Sequence, residues 1–239
     1  IAMVKVSRMP EVSIISTGDE LVPVSGDPLP HEIRQSNGPA LQALLGQYGL
    51  QSRLYHVRDE PGRIHSLLRQ LRAGRAGCII TIGGVSAGKK DYVPAAVAGA
   101  GGGILFHKVA QRPGKPLLFA AWKDGPVLFG LPGNPVSCLA SCCRYVIPWI
   151  RQGLQEASRP PLYAKLTEEV AFDPPLTCFL PVSLSYSPRG ECMARPLRGK
   201  GSGDFVSMQE ATAFLELPGA ESRFEKGSAY RIWPIVPPG

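Results

Sequence analysis

No stretch of this sequence reaches the run of about 18 apolar residues that a bilayer-spanning helix needs, so no membrane span is expected. The start, Ile1-Ala2-Met3-Val4-Lys5, has neither the apolar core of a secretory signal nor an initiator Met. That start fits either a fragment of a longer protein or a chain that naturally has no more before it. Cys78, Cys138, Cys142, Cys143, Cys178 and Cys192 form no C-x-x-C pair, and His31, His56, His65 and His107 show no ligand spacing. That sets aside a zinc cluster and a disulfide framework. The cytoplasm is the expected compartment, and any metal should be a hard, oxygen-bound one. Neither G-x-G-x-x-G nor G-x-x-x-x-G-K-[ST] occurs, so a dinucleotide or Walker-type site has no support. There is no Ser-His-Asp or Cys-His set for covalent catalysis; Ser137 follows a turn and reads as a helix cap. Lys89-Lys90 is the one adjacent basic pair, and no aromatic-interleaved basic patch occurs, so nucleic acid is not an expected partner.

What is present is an ordinary globular composition: 239 residues, 44% hydrophobic, with a net charge of +7. That balance suits a phosphate-bearing or otherwise anionic partner. Strand and helix signals alternate along the first two-thirds. Residues 11–17, 52–57, 77–82 and 104–108 read as strands. Residues 37–48 read as a helix, with Leu41, Leu44 and Leu45 at helical spacing, Ser36 or Asn37 as cap and Gly49 as terminator. Residues 63–72 and 92–97 read as further helices, 117–122 and 127–129 as a hairpin around Lys123-Asp124-Gly125, and 137–151 as a closing helix. Such alternation predicts right-handed crossovers and a three-layer αβα, mostly parallel sheet over residues 8–152. Beyond Ser158-Arg159-Pro160-Pro161 helix signals nearly vanish. Short β-like runs at 163–172, 179–186, 192–196, 214–217 and 230–236 predict a small all-β domain over 160–239.

Loops rich in small or charged residues follow the strands: Thr17-Gly18-Asp19-Glu20, Gly83-Gly84-Val85-Ser86-Ala87-Gly88-Lys89-Lys90-Asp91-Tyr92, Arg112-Pro113-Gly114-Lys115-Pro116 after Lys108, and Leu131-Pro132-Gly133-Asn134-Pro135-Val136-Ser137. In a parallel α/β sheet the strands' carboxyl ends share one edge, where ligands bind, so these loops should converge. The last turn precedes a helix, whose N-terminus favours an anion; the same residues also suit a rigid turn and nothing more. Asp19, Glu20, Asp59 and Asp91 follow three successive strands. They can face one pocket and hold Mg²⁺, or be helix caps (Asp59, Asp91) and a solvated loop (Asp19, Glu20). Lys108, Arg112 and Lys115 are stiffened by prolines and suit an anionic substrate bridged by a divalent cation; the alternative is a solvated surface loop.

Together Ser16-Thr17-Gly18-Asp19-Glu20-Leu21, Ser36-Asn37, the glycine loop through Tyr92, Pro113-Gly114-Lys115-Pro116 and the turn from Leu131 to Ser137 resemble the molybdopterin molybdenumtransferase family, which includes the MoeA protein of bacteria and the E domain of gephyrin. Gly201-Ser202-Gly203-Asp204-Phe205 and Leu217-Pro218 resemble its C-terminal β domain. The resemblance implies a molybdopterin-binding fold and a Mg²⁺-dependent transferase that takes adenylylated molybdopterin and molybdate, releases AMP and leaves molybdenum on the dithiolene. It implies Glu20, Asp59 and Asp91 as catalytic and metal-holding residues. Substrate-binding positions implied are Thr17, Gly18, Asp19, Gly83, Gly84, Ser86, Lys108, Arg112, Lys115, Pro132, Gly133, Asn134, Pro135 and Ser137. Arg112 stands where the family often has Lys, and holds oxyanions in a more planar fork. Family members carry two further domains upstream, about 150 residues of ordinary domain size, which build much of a homodimer. A molybdopterin adenylyltransferase and a non-catalytic pterin-binding module or scaffold are the alternatives.

Overall fold

Strand β1 (Glu11–Thr17) is buried at every position after the first, as a strand covered on both faces must be. Its side chains alternate between two cores. Val12 and Ile14 pack with Leu41, Leu44 and Leu45, while Ile15 packs with Ile64 and Leu68. That alternation makes the three layers. The computed structural model describes residues 3, 4, 6–74, 76–86, 91–155, 160–197 and 206–236.

After β1 come β2 (Leu21–Val22), β3 (Ile33–Arg34), α1 (Asn37–Gln47), β4 (Ser52–Val57), α2 (Pro61–Ala73), β5 (Ala76–Ile82), α3 (Val93–Gly99) and β6 (Gly103–His107). Then follow β7 (Gln111–Arg112), β8 (Leu118–Ala121), β9 (Val127–Leu131) and α4 (Pro135–Ser141), a π-helical turn (Cys142–Val146), and α5 (Ile147–Gly153). The first sheet has the order β4-β1-β5-β9-β8-β6. β4, β1, β5 and β9 are parallel, and β8 runs antiparallel to both β9 and β6. One face carries the core of α1, α4 and α5, the other that of α2 and α3. The three-layer α/β reading holds.

The closing helix departs from its sequence reading. It starts at Pro135, not 137, and the π-helical turn divides it. Pro148 has no N–H for the carbonyl of Arg144, so a regular α-ladder cannot run through it.

The C-terminal part holds β10 (Tyr163–Leu166), β11 (Val170–Ala171), β12 (Thr177–Tyr186), β13 (Cys192–Pro196), a 3₁₀ turn (Val206–Glu210), β14 (Ala213–Leu217), β15 (Arg223–Phe224) and β16 (Ala229–Pro234). The expected run at 163–172 is thus two strands. β13, β10, β16, β14 and β12 are neighbours in that order, and β12 also pairs with β13, so the five strands close on themselves. Closure removes sheet edges. Around its core of Leu166, Leu215, Phe224 and Ile232 sits the third apolar cluster. Phe179, Met208, Phe214 and Trp233 instead join the core of α1 and α4, so the two parts share a buried interface. A strand the sequence reading missed, β7, lies inside the cationic loop yet pairs in parallel with the start of β12 (Gln111 with Thr177, Arg112 with Cys178).

Candidate functional site

The register brings the loops together. Thr17 lies opposite Val57, Ser16 opposite Ile82, and Ile82 opposite Leu131, so the parallel strands end level. β8 and β6 place Leu118 opposite Gly130 and His107 opposite Leu118. The loops after β1, β4, β5 and β9, and the loop from 108 to 117, therefore leave one edge, as the sequence reading expected.

The contact between the first and third loops explains the glycines. Thr17 is buried and its hydroxyl donates to the carbonyl of Ile82 (3.2 Å). Gly83 and Gly84 both have positive φ, 88° and 68°. A Cβ on Gly83 would stand 2.9 Å from Thr17 Oγ1, and one on Gly84 2.9 Å from Val93 Cγ2. The backbone can lie this close to β1 only without side chains. The Gly83 N–H donates to Leu131 O (3.0 Å). His107 Nε2 lies 2.7 Å from Val85 O, pinning the same loop from β6.

The final turn closes the other wall. Asn134 is the N-cap of α4, accepting from the backbone N–H of Ser137 (3.2 Å) and from its hydroxyl (3.1 Å). Ser137, read from sequence as the cap, is thus the capped partner, and it is buried. Asn37 Nδ2 donates to Gly133 O (2.7 Å), bridging the start of α1 to the turn. The N-cap of α1, Ser36, makes no side-chain cap bond, and Ser36 and Asn37 at the start of this 11-residue helix line the cleft. That cleft, about 130 Å³, is lined by Thr17, Glu20, Ser36, Asn37, Gly133 and Pro135 among others. The Glu20 carboxylate folds back over Gly18, where a Cβ would lie 2.6 Å from Oε1.

The other carboxylates sit on neighbouring loops. Asp19 Oδ1 accepts from the Asp59 backbone N–H (3.2 Å), joining the loops after β1 and β4. Asp91 Oδ2 accepts from the Ser86 hydroxyl (2.8 Å). Neither Asp59 nor Asp91 caps a helix, since the N-caps of α2 and α3 are Glu60 and Tyr92. Beside Asp19 a wider cleft of about 530 Å³ runs along β4 past Tyr55, His56 and Arg58. His56 Nε2 lies 3.0 Å from Gly18 O. Among the described residues no group of three or more His, Cys, Asp or Glu side chains is arranged to hold a metal. Glu20, Asp59 and Asp91 therefore do not form a ready cage. Their chemistry still fits Mg²⁺, which needs only one or two protein carboxylates when substrate oxygens complete its shell.

Lys108, Arg112 and Lys115 are all exposed. Their loop is pinched at its base by Lys108 N–H to Leu117 O (2.8 Å) and Val109 N–H to Lys115 O (2.9 Å). Lys108 has φ of 75°, a left-handed conformation uncommon for a lysine. Gln111, which sequence reasoning missed, is buried beneath the loop tip; no motif or spacing marked it. Ala87, Gly88, Lys89, Lys90 and residues 201–205 lie outside the described residues.

The four cysteines of the α/β part, Cys78, Cys138, Cys142 and Cys143, are buried. Burial pushes the thiols of Cys78 and Cys143 up to about 12 and raises those of Cys138 and Cys142 as well. Such groups are inert small apolar residues.

Comparison with known proteins agrees with this fold. Residues 13–152 match the model of a probable molybdopterin binding domain, and residues 163–235 that of the MoeA C-terminal region, domain IV. A molybdopterin molybdenumtransferase of Synechocystis sp. is 37% identical over 234 residues, covering 96% of this chain and 57% of the relative. One from Staphylococcus epidermidis is 34% identical over 227 residues, covering 94% and 54%. The crystal structure of the molybdopterin biosynthesis MoeA protein from Pyrococcus horikosii superposes with a TM-score of 0.79 at 28% identity, covering 95% of this chain and 55% of that one. The chain spans about half the length of the curated relatives it matches. Among the described residues no helix is long and apolar enough to cross a membrane.

Proposed function

We propose, from the premise that this chain belongs to the molybdopterin-binding domain family and continues into a MoeA C-terminal region, that it inserts molybdenum from molybdate into adenylylated molybdopterin and releases AMP. The observation that carries this reading is the single edge at which five loops meet, with Gly83-Gly84 seated on Thr17 and Asn37 bridged to Gly133. Thr17, Gly18, Asp19, Gly83, Gly84, Ser86 and the turn Pro132-Gly133-Asn134-Pro135 with Ser137 shape the substrate cleft. Lys108, Arg112 and Lys115 hold the molybdate or phosphate charge. The start of α1 adds a fixed positive potential. Such preset charges stabilise the negative charge that grows when a water or molybdate oxygen attacks the pyrophosphate and AMP leaves. Mg²⁺, held by Glu20, Asp59 or Asp91 together with pyrophosphate oxygens, would supply neutralising charge there. Asp19 orients the Asp59 loop through its hydrogen bond to the backbone. The reading includes a homodimer in the full-length protein and a cytoplasmic location.

The test is molybdate-dependent AMP release from adenylylated molybdopterin. Asp91→Asn should abolish it while the fold is kept; unchanged release would remove Asp91 from the mechanism. A pterin-binding module without turnover is the second reading, since the cleft and its loops suit binding without requiring a chemical step. Tight pterin binding without AMP release would identify it. The MoeA-type C-terminal region argues against an adenylyltransferase, for which ATP plus molybdopterin would give the adenylylated product.

A further inference from the structure

We propose that Gln111 is a positioning residue that sets the geometry of the cationic loop, and that the hydroxyl of Tyr145 holds Gln111 in place. The inference rests on the function proposed above, because it gives the loop an oxyanion to hold.

Gln111 is 2% exposed. A buried primary amide is costly unless its donors and acceptor are met, and here they are. Nε2 donates to Pro113 O (3.1 Å) and Gly114 O (3.4 Å), and Oε1 accepts from Tyr145 OH (2.5 Å). The two carbonyls lie between Arg112 and Lys115, so the amide holds the backbone that separates these cations. The fit leaves no slack, since a Cβ on Gly114 would stand 2.7 Å from Gln111 Nε2 and 2.9 Å from Ser141 Oγ. Elsewhere the loop is held at its base by the Lys108 and Val109 hydrogen bonds and at Gln111 and Arg112 by the pairing with β12.

The support beneath Gln111 is rigid. Its main chain pairs with Thr177 at the start of β12. Tyr145 lies in the π-helical turn, a type of defect that often accompanies function. The Arg144 guanidinium lies over the Tyr145 ring (5.0 Å) and over the Trp233 ring (4.4 Å). Trp233 in turn donates to Glu216 (2.6 Å). A chain of contacts thus runs from the C-terminal barrel to the loop tip. Losing the Gln111 amide leaves every charge in place but lets their spacing drift, and misplacement by about 1 Å is enough to weaken a preset site.

The experiment uses the full chain with Gln111→Met, Tyr145→Phe and the double variant. Hydrogen exchange at the amides of residues 109, 114 and 115 reads the loop directly, and KM for molybdate is compared with kcat for AMP release. Gln111→Met should speed loop exchange and raise the molybdate KM about five- to twenty-fold with kcat nearly kept, the scale of a lost buried hydrogen bond. Tyr145→Phe should do the same more weakly. The double variant removes the Tyr145 hydroxyl that Gln111→Met strips of its acceptor, and the carbonyls of Pro113 and Gly114 lose their donor in both, so its melting temperature should recover above that of Gln111→Met while KM stays high. A KM that recovers along with melting temperature would reduce Gln111 to a structural role and overturn the proposal. Unchanged loop exchange in Gln111→Met would overturn it alone. Wild-type protein that binds the pterin but never uses molybdate would overturn the proposed function and this inference together.

Discussion

Replacing Gly83 by alanine tests the central contact of the site. Gly83 has φ of 88°, and its new methyl would meet Thr17 Oγ1 at 2.9 Å and Thr17 O at 3.2 Å. The left-handed conformation costs a non-glycine residue about 1–2 kcal/mol. Forcing a methyl into a filled space costs about 1–3 kcal/mol more. The sum is about 2–5 kcal/mol, or roughly 5–15 °C in melting temperature for a protein of this size. Urea unfolding followed by circular dichroism measures it. Gly46→Ala is the matched control: it lies inside α1 with nothing within 4 Å of the added Cβ, and should stabilise by about 0.5–1 kcal/mol. In a Thr17→Ala background the Gly83→Ala loss should shrink, because the Oγ1 contact is gone while the backbone strain remains. A loss below about 0.5 kcal/mol, the level of a neutral surface change, would refute the seating of the glycine loop on β1.

Two other outcomes follow from the same geometry. Asn134→Ala removes the cap of α4 and should cost about 1 kcal/mol in urea unfolding, with Asn134→Ser recovering most of it; an unchanged midpoint would mean the turn keeps its shape by its prolines alone. The buried thiols give a pH signature. Folding raises Cys78 and Cys143 from the ordinary 9.0 to about 12 by burial, with Cys138 and Cys142 raised in the same direction. The unfolded chain therefore loses its thiol protons first. The stabilisation is complete below pH 9 and is lost as pH rises toward 12, by about 1.4 kcal/mol per thiol at pH 10. Unfolding midpoints at pH 8, 9 and 10 should fall accordingly, and a flat profile would show that these thiols reach water in the folded state.

Much of the fold was legible because it follows from local rules. Residues 11–17 and 37–48 announce themselves by apolar spacing and flanking turn residues, and the structure has them as β1 and, ending one residue sooner, α1. The convergence of the loops followed from the topology of a parallel sheet. What stayed hidden depends on partners distant in the chain. β2, β3 and β7 are two residues each, too short to show a period. Barrel closure rests on β12 meeting β13 as well as β14. Inside the site, residue types were readable but their engagements were not. Asn37 reaches Gly133 across 96 residues, and Asp19 turns out to hold the backbone of Asp59. His56 and His107, which show no ligand spacing, each direct a ring nitrogen at a loop carbonyl. Gln111 gave no signal at all, since a buried glutamine is recognisable only by what it touches.

The pairing of β7 with β12 bears on how far the C-terminal barrel can be exchanged between relatives. A graft joined near residue 160 would carry Thr177 and Cys178 into a recipient but leave behind Gln111 and Arg112, the backbone they pair with. It would also set a foreign residue against the stacked face of Trp233 in place of Arg144. The seam between the two halves therefore does not coincide with any single point along the chain. These contacts tie barrel, π-helical turn and cationic loop together, and a chimera that transplants all three keeps them.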